Sequence, residues 1–178
     1  FATLGEEYQQ NCIVCTAPSK TFNLAGLQVS NIFISNQKLR RAFRKQIDAA
    51  GYSQLNTLGL VACQAAYAYG EEWLTQVKAY IRSNITFVDD YLKQNLPQIK
   101  MLPIEGTYLV WLDFSALGMT ADEREQWLWH EAKLWLDGGG IFGKEGEAFE
   151  RINVACPRAT LLQGLEQLKA AVEGLKKD

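Results

Sequence analysis

Short apolar runs near the start of the chain predict buried β-strands. Residues 11–16 and 27–35 are rich in β-branched side chains, and turn-forming residues bound them at Pro18, Gly26 and Asn36. Apolar runs of this length, bounded in this way, are typical of strands covered on both faces in an α/β sheet. The loop between the two predicted strands carries the candidate chemistry of this region.

Helical periodicity follows these strands. Residues 37–50, 54–69 and 71–96 each predict a helix, and Pro97 stops the last one. In this last helix, apolar residues recur every three or four positions and form a seam about 38 Å long at 1.5 Å per residue. The seam consists of Leu74, Val77, Ile81, Ile85, Val88, Leu92 and Leu96. We expect this helix to join two domains, because a coiled coil would carry systematic flanking charge pairs.

The remainder of the chain predicts a compact α/β lobe. A strand is expected at residues 108–114, a helix at residues 121–135 and a second strand at residues 151–156. Thr120 and Glu123 have capping-box spacing before the helix. The final helix carries a stripe of apolar residues at helical spacing: Leu161, Leu165, Leu168, Val172 and Leu175.

Composition narrows the function classes. The chain has 178 residues, of which 48% are apolar and 21% charged, so a globular protein is expected. A net charge of −2 gives no global field that would attract nucleic acid or an anionic membrane. No apolar stretch reaches the roughly 20 residues that a membrane span needs. These properties favour a small-molecule site.

The cysteines favour a reducing, cytoplasmic environment. Four cysteines are scattered through a chain that is neither small nor loop-rich, so a disulfide framework is not expected. Cys12 and Cys15 form a C-x-x-C, but they lie in an apolar run without other metal ligands, and we interpret them as buried strand cysteines. The opening Phe-Ala-Thr-Leu-Gly-Glu-Glu has neither an initiator methionine nor targeting character, so a piece of a longer protein is expected.

The loop between the first two strands holds a constrained lysine. Lys20 lies between Pro18, which stiffens the approach, and Gly26, which permits close backbone contact. A lysine that forms a Schiff base needs its amine held in a fixed place. The hydroxyls of Thr16 and Ser19 could donate to a phosphate. The pattern alone still favours a solvent-facing lysine.

A family resemblance changes this interpretation. The sequence Ala-Pro-Ser-Lys-Thr-Phe-Asn-Leu-Ala-Gly-Leu-Gln resembles the lysine signature of fold-type I, pyridoxal-5'-phosphate (PLP) dependent aminotransferases, and it is most similar to the cystathionine β-lyase-like branch. The resemblance implies that Lys20 binds PLP and is catalytic. It also implies an α/β fold, the C-terminal part of the PLP-dependent transferase fold. Residues 1–50 would be a remnant of the large domain, residues 51–96 a helical linker and residues 97–178 the small C-terminal domain.

Two departures from the aminotransferase pattern favour the lyase branch. Many aminotransferases place a serine three residues before the lysine and an arginine eight residues after it, and both contact the cofactor phosphate. Here these positions are Ala17 and Gln28. Without the arginine the phosphate loses a bidentate charged partner and depends on neutral donors. The resemblance therefore implies a cofactor site formed by Thr16, Ser19, Lys20 and Gln28.

A second candidate residue lies near the C-terminus. Strand alternation places Arg151 and Asn153 on one face, and a guanidinium can grip a substrate carboxylate with two parallel hydrogen bonds. The resemblance implies that Arg151 binds the substrate α-carboxylate. By itself the pattern favours a strand-edge charge paired with a nearby acid such as Glu147 or Glu150. Arg158 is expected to be structural.

The resemblance implies a carbon–sulfur β-lyase that acts on cystathionine or another cysteine S-conjugate by α-proton abstraction and β-elimination. An aminotransferase is the close alternative, because transamination shares every step up to the carbanion. The family forms homodimers, and its acidic partner for the pyridine nitrogen, its ring-stacking aromatic and a further phosphate-binding turn all lie before the lysine loop. The chain alone is therefore expected to be inactive, and a non-catalytic structural or binding fragment is the further alternative. No metal, nucleic-acid or membrane partner is expected.

Overall fold

A computed structural model describes residues 1–52 and 54–175 and confirms the α/β class. The helices are α1 (Glu6–Gln10), α2 (Gln37–Ala49), α3 (Thr57–Tyr69), α4 (Glu71–Asn95), α5 (Ala121–His130) and α6 (Arg158–Leu175). The strands are β1 (Val14–Thr16), β2 (Asn31–Phe33), β3 (Lys100–Met101), β4 (Leu109–Asp113), β5 (Asp137–Gly138) and β6 (Phe149–Asn153). Two compact units divide within α4, the first being Phe1–Gln76 and the second beginning at Val77. The three-part division at residues 50 and 96 stays a prediction.

The first unit contains a short antiparallel pair, β1 and β2, in which Val14 lies opposite Phe33 and Thr16 opposite Asn31. The prediction that these strands are buried is wrong, since Cys15 is exposed and Phe33 is 61% exposed. Among the described residues no third strand joins this pair, although the Asn31 side chain of β2 contacts Sγ of Cys63 in α3. Cys12, which lies before β1, is only half-buried, so the interpretation of Cys12 and Cys15 as buried cysteines is also wrong.

The helices of the first unit begin at asparagine caps. The Asn36 side chain accepts the backbone N–H groups of Lys38 and Leu39, and the Asn56 side chain accepts that of Leu58. Asparagine is among the best N-cap residues because it satisfies these otherwise unpaired donors. The cap at Asn56 explains why α3 begins at Thr57 rather than at residue 54.

The second unit is built on a four-stranded antiparallel sheet in the order β3-β4-β6-β5. Val110 and Leu112 of β4 point into the core, as strand alternation requires. Val88, Leu92 and Leu96, from the predicted seam, belong to the same core. The stripe of α6 is confirmed for four of its five members, since Leu161, Leu165, Leu168 and Val172 are buried and Leu175 is 40% exposed.

Helix α5 has the predicted capping box but ends at His130, before the predicted Trp135. Lys133 adopts a left-handed backbone conformation with φ of 55°, which closes the helix. Trp135 is consequently 86% exposed.

Two properties of the described residues bear on function. No helix within residues 1–52 and 54–175 is long and apolar enough to cross a membrane. In the same part of the chain, no three His, Cys, Asp or Glu side chains are grouped so as to hold a metal ion.

Candidate active site

The Lys20 loop joins β1 to β2, and backbone hydrogen bonds fix it around the lysine. Pro18 is buried, and its carbonyl accepts the N–H of Phe22 at 2.9 Å. The carbonyl of Ser19 accepts the N–H of Leu24 at 3.0 Å. The Lys20 side chain is exposed. The lysine therefore projects from a tight turn whose backbone is held on both sides.

An aromatic anchor fixes the loop just after the lysine. The ring centroid of Phe22 lies 5.5 Å from that of Tyr67 in an edge-to-face arrangement and 6.1 Å from that of Trp73. A Cβ atom at Gly70 would lie 2.7 Å from Cε1 of Phe22, so glycine is what lets the ring approach the junction of α3 and α4. The motif indicated an aromatic residue at Phe22, but its partners come from positions about 45 to 50 residues later in the chain, and no local pattern identifies them.

The second half of the loop packs against the start of α3. The Leu27 carbonyl accepts a hydrogen bond from Nδ2 of Asn56 at 3.4 Å, and a Cβ atom at Gly59 would meet Val29. Gln28 adopts a left-handed backbone conformation, with φ of 52° and ψ of 51°. Such a conformation is uncommon for a residue other than glycine and is sustained by the surrounding structure. The close approach at Gly59 supplies that constraint.

The four predicted cofactor-binding residues share this loop. Thr16, Lys20 and Gln28 are exposed, and Ser19 is half-buried. Within residues 1–52 and 54–175, none of these four side chains forms a hydrogen bond or an ion pair. In this part of the chain their functional groups therefore have no competing hydrogen-bond partner, and their roles stay predictions.

Arg151 belongs to the second unit, whereas Lys20 belongs to the first. The Arg151 guanidinium donates from Nε and Nη2 to Oδ2 of Asp137, at 3.1 and 2.6 Å. Its central carbon lies 4.6 Å from the ring centroid of Phe142. The expected pairing with Glu147 or Glu150 is wrong, because the sheet register places Asp137 of β5 directly opposite Arg151.

A buried ion pair that sequence reasoning missed lies next to Arg151. Arg124 and Glu150 are 2% and 1% exposed, and Nε of Arg124 donates to Oε1 of Glu150 at 2.8 Å. Nη2 of Arg124 also donates to the Glu147 carbonyl at 2.5 Å. Burial raises the pKa of the Glu150 carboxyl above its ordinary value, and Arg124 opposes that shift. The sequence did contain a sign of this burial, because Arg124 lies three and four residues before the apolar Trp127 and Leu128 and so shares their helix face.

Comparison with known proteins places this arrangement in a family. The sequence pattern of aminotransferase class I and II matches residues 2–168. The chain belongs to the aminotransferase class I and II family. It is 39% identical over 172 residues to cystathionine beta-lyase PatB of Bacillus subtilis, covering 97% of this chain and 44% of PatB.

Two solved structures resemble this family member closely. Cystalysin from Treponema denticola, which contains a pyridoxal 5'-phosphate cofactor, superposes with a TM-score of 0.92 at 41% identity, covering 97% of this chain and 44% of cystalysin. A PLP-bound candidate aminotransferase from Clostridium difficile 630 superposes with a TM-score of 0.92 at 40% identity, covering 96% and 44%. The expected family and fold are confirmed, and the chain spans less than half the length of these relatives.

Arg158 makes structural contacts at the start of α6, as expected. Its Nε donates to Oδ1 of Asn84 at 2.7 Å, and its Nη2 donates to Oγ of Ser83 at 2.8 Å. The guanidinium also stacks on the Phe87 ring, at 4.3 Å from the centroid. Three contacts with α4 thus tie the start of α6 to the core of the second unit.

Proposed function

We propose that this chain is the C-terminal part of a PLP-dependent carbon–sulfur β-lyase of the cystathionine β-lyase type. The Lys20 loop carries the proposal, because it presents an exposed amine on a backbone fixed by Phe22 and the Gly59 contact. Similarity to cystathionine beta-lyase PatB and cystalysin supports lyase chemistry. Gln28, which stands where many aminotransferases have arginine, supports it further.

The functional groups of this loop fit PLP, which presents an aldehyde and a phosphate. The primary amine of Lys20 can condense with the aldehyde to form an imine. The hydroxyls of Thr16 and Ser19 and the side-chain amide of Gln28 are neutral hydrogen-bond donors suited to the phosphate. Among the described residues these groups have no competing hydrogen-bond partner. The family's partners for the pyridine ring would lie outside this chain, so we expect the chain alone to be inactive.

In the proposed reaction, one residue of this chain would bind the substrate and another would transfer a proton. Arg151 would bind the α-carboxylate of a cysteine-derived amino acid such as cystathionine and so orient its Cα–H bond. The Lys20 amine would remove the proton from Cα. PLP, when bound, supplies an electron sink for the pair left on Cα. Loss of the sulfur from Cβ as a thiolate, followed by hydrolysis, would give a thiol, pyruvate and ammonia.

The proposal includes the oligomeric state, the cellular location and the domain division of the parent enzyme. The parent would be a homodimer in the cytoplasm, where the four free cysteines stay reduced. Residues 1–50, 51–96 and 97–178 would be the remnant of the large domain, the linker and the small domain.

Covalent trapping of the cofactor tests the proposal. The PLP-loaded parent should have an imine absorption band, and borohydride reduction followed by peptide mapping should place the label on Lys20. Lys20→Ala should lose both the band and the label, whereas Lys38→Ala, an exposed lysine in α2, should keep them. A label on another lysine, or none in the parent, would contradict the assignment.

An aminotransferase is the second candidate, supported by the family match and by the Clostridium difficile protein. Product analysis with cystathionine separates the two reactions. Release of pyruvate and ammonia without a keto-acid acceptor supports the lyase. Amino-group exchange that depends on a keto acid would instead support the aminotransferase. If the parent carries a Lys20 label and this chain does not, the chain is a non-catalytic fragment by itself.

A further inference from the structure

The Arg151 guanidinium is restrained on one edge and one face. Both Nε and Nη2 donate to the same oxygen, Oδ2 of Asp137, at 3.1 and 2.6 Å. The Phe142 ring covers one face of the guanidinium, 4.6 Å from its central carbon. Within residues 1–52 and 54–175, no acceptor engages Nη1. One edge of the guanidinium, Nη1 with Nη2, is thus left for an incoming acceptor.

The backbone beneath this pair is fixed as well. Asp137 and Arg151 lie directly opposite each other in the β5–β6 register, and the adjacent pair is Gly138 and Glu150. Glu150 is held by the buried Arg124. Because the neighbouring register position is anchored in this way, the Asp137 carboxylate approaches Arg151 from a defined direction.

We propose that Asp137 is a positioning residue for substrate recognition, which fixes Arg151 so that only its Nη1–Nη2 edge can bind the α-carboxylate of an amino-acid substrate. The inference rests on the role of Arg151 in the proposed function. A guanidinium restrained before binding loses less conformational freedom when it grips the carboxylate. The half-exposed charge of Asp137 also repels a carboxylate that approaches the Nε edge.

Nearly isosteric variants separate positioning from general structure. Asp137→Leu removes both acceptor oxygens, whereas Asp137→Asn keeps one acceptor and loses only the charge. In the PLP-loaded parent, Asp137→Leu should raise KM for S-methylcysteine about tenfold and change kcat by less than about threefold, the size expected for coupled neighbours. Asp137→Asn should stay close to the wild type.

The decisive measurement is the preference for a carboxylate. This preference is the ratio of kcat/KM for S-methylcysteine to kcat/KM for its primary amide. The affinity for glycine, measured by calorimetry, gives a second readout that does not depend on turnover. Asp137→Leu should lower this ratio in the wild-type background and leave it unchanged in an Arg151→Ala background, because Asp137 acts through Arg151. Asp48→Ala, which removes an exposed carboxylate of α2, is the matched control.

The outcomes distinguish the two proposals. If Arg151→Ala lowers the ratio and Asp137→Leu does not, the positioning role is wrong while the proposed function stands. If Arg151→Ala also leaves the ratio unchanged, the role of Arg151 is wrong and the positioning role falls with it. Should Asp137→Leu fail to fold or to load PLP at Lys20, Asp137→Ala gives the same comparison.

Discussion

The two units of the chain differ in how they bury their apolar side chains. In the second unit one continuous core joins α4, α5 and α6 to the sheet, and it includes Val110, Leu112 and Leu165 with almost no exposed surface. Among the described residues of the first unit, the only buried apolar side chains are those of Pro18, Val29, Ile34 and Cys63. Within this chain the first unit therefore holds the Lys20 loop through local contacts, whereas the second unit has a continuous core of its own.

Separating the units should have the largest effect. Residues 71–175, which keep α4 complete, should unfold cooperatively in urea because they contain the whole continuous core. Residues 1–70 should give no cooperative transition, because so few of their apolar side chains are buried. Near-ultraviolet circular dichroism across a urea titration measures both. A cooperative transition in residues 1–70 alone would contradict the contrast between the units.

Breaking the buried pair of the second unit should have the next largest effect. Arg124→Leu leaves the Glu150 carboxylate buried without its partner, which should cost about 3–5 kcal/mol in the free energy of unfolding. The double variant Arg124→Leu with Glu150→Leu should recover part of this loss, since no buried charge then remains. Urea denaturation of residues 71–175 gives the values. The exposed pair of Lys93 and Asp89 is the matched control, and Lys93→Leu should change stability little.

Two helical glycines, one in each unit, should respond in opposite directions to replacement by alanine. At Gly59 the new methyl group would lie 2.8 Å from the Leu27 carbonyl and meet Val29, so Gly59→Ala should destabilise by about 1–3 kcal/mol. At Gly164 the methyl group would lie 3.5 Å from Leu134, an ordinary contact, and Gly164→Ala should stabilise α6 by up to about 1 kcal/mol.

The same two glycine variants test whether the Gly59 contact holds the Lys20 loop in place. In the PLP-loaded parent, Gly59→Ala should also reduce the yield of borohydride label on Lys20, because it displaces the second half of the loop. Gly164→Ala should leave that yield unchanged. Thermal unfolding and peptide mapping measure the two effects, and equal labelling in both variants would show that the Gly59 contact does not hold the loop.

The smallest effect is expected at Tyr91, whose buried hydroxyl has no hydrogen-bond partner among the described residues. Burial, aided by the nearby Glu166 carboxylate, raises the pKa of Tyr91 from 10.0 to about 12. Because the buried hydroxyl of Tyr91 lacks a partner among the described residues, Tyr91→Phe should raise the free energy of unfolding at pH 7 by no more than about 1 kcal/mol.

The Tyr91 hydroxyl also predicts a dependence on pH. Between pH 10 and pH 12 the folded state keeps the proton that the unfolded state loses, so stability should fall as pH rises through this window. Tyr91→Phe lacks the titrating group and should have a shallower fall. Urea denaturation at several alkaline pH values tests this, and identical slopes in the two proteins would contradict it.

Local patterns predicted the elements of the second unit better than those of the first. The α4 seam, the α5 capping box and the α6 stripe follow from periodicity and cap chemistry, and each is present. The strands around Lys20 are apolar and β-branched, but burial requires a covering layer, and strand propensity does not state whether one exists. The same limit explains the wrong interpretation of Cys12 and Cys15.

The sequence by itself determined that Lys20 lies in a constrained loop after Pro18 and that Arg151 lies on a short strand, because proline and strand alternation act locally. The close backbone contact expected at Gly26 is wrong, since a Cβ atom there would meet nothing within 4 Å. Only the tertiary structure decided what surrounds Lys20 and Arg151. The anchoring of Phe22 between Tyr67 and Trp73, and the pairing of Arg151 with Asp137, join positions far apart in the chain. Such contacts depend on sheet register and helix packing, which no spacing of residues along the chain encodes.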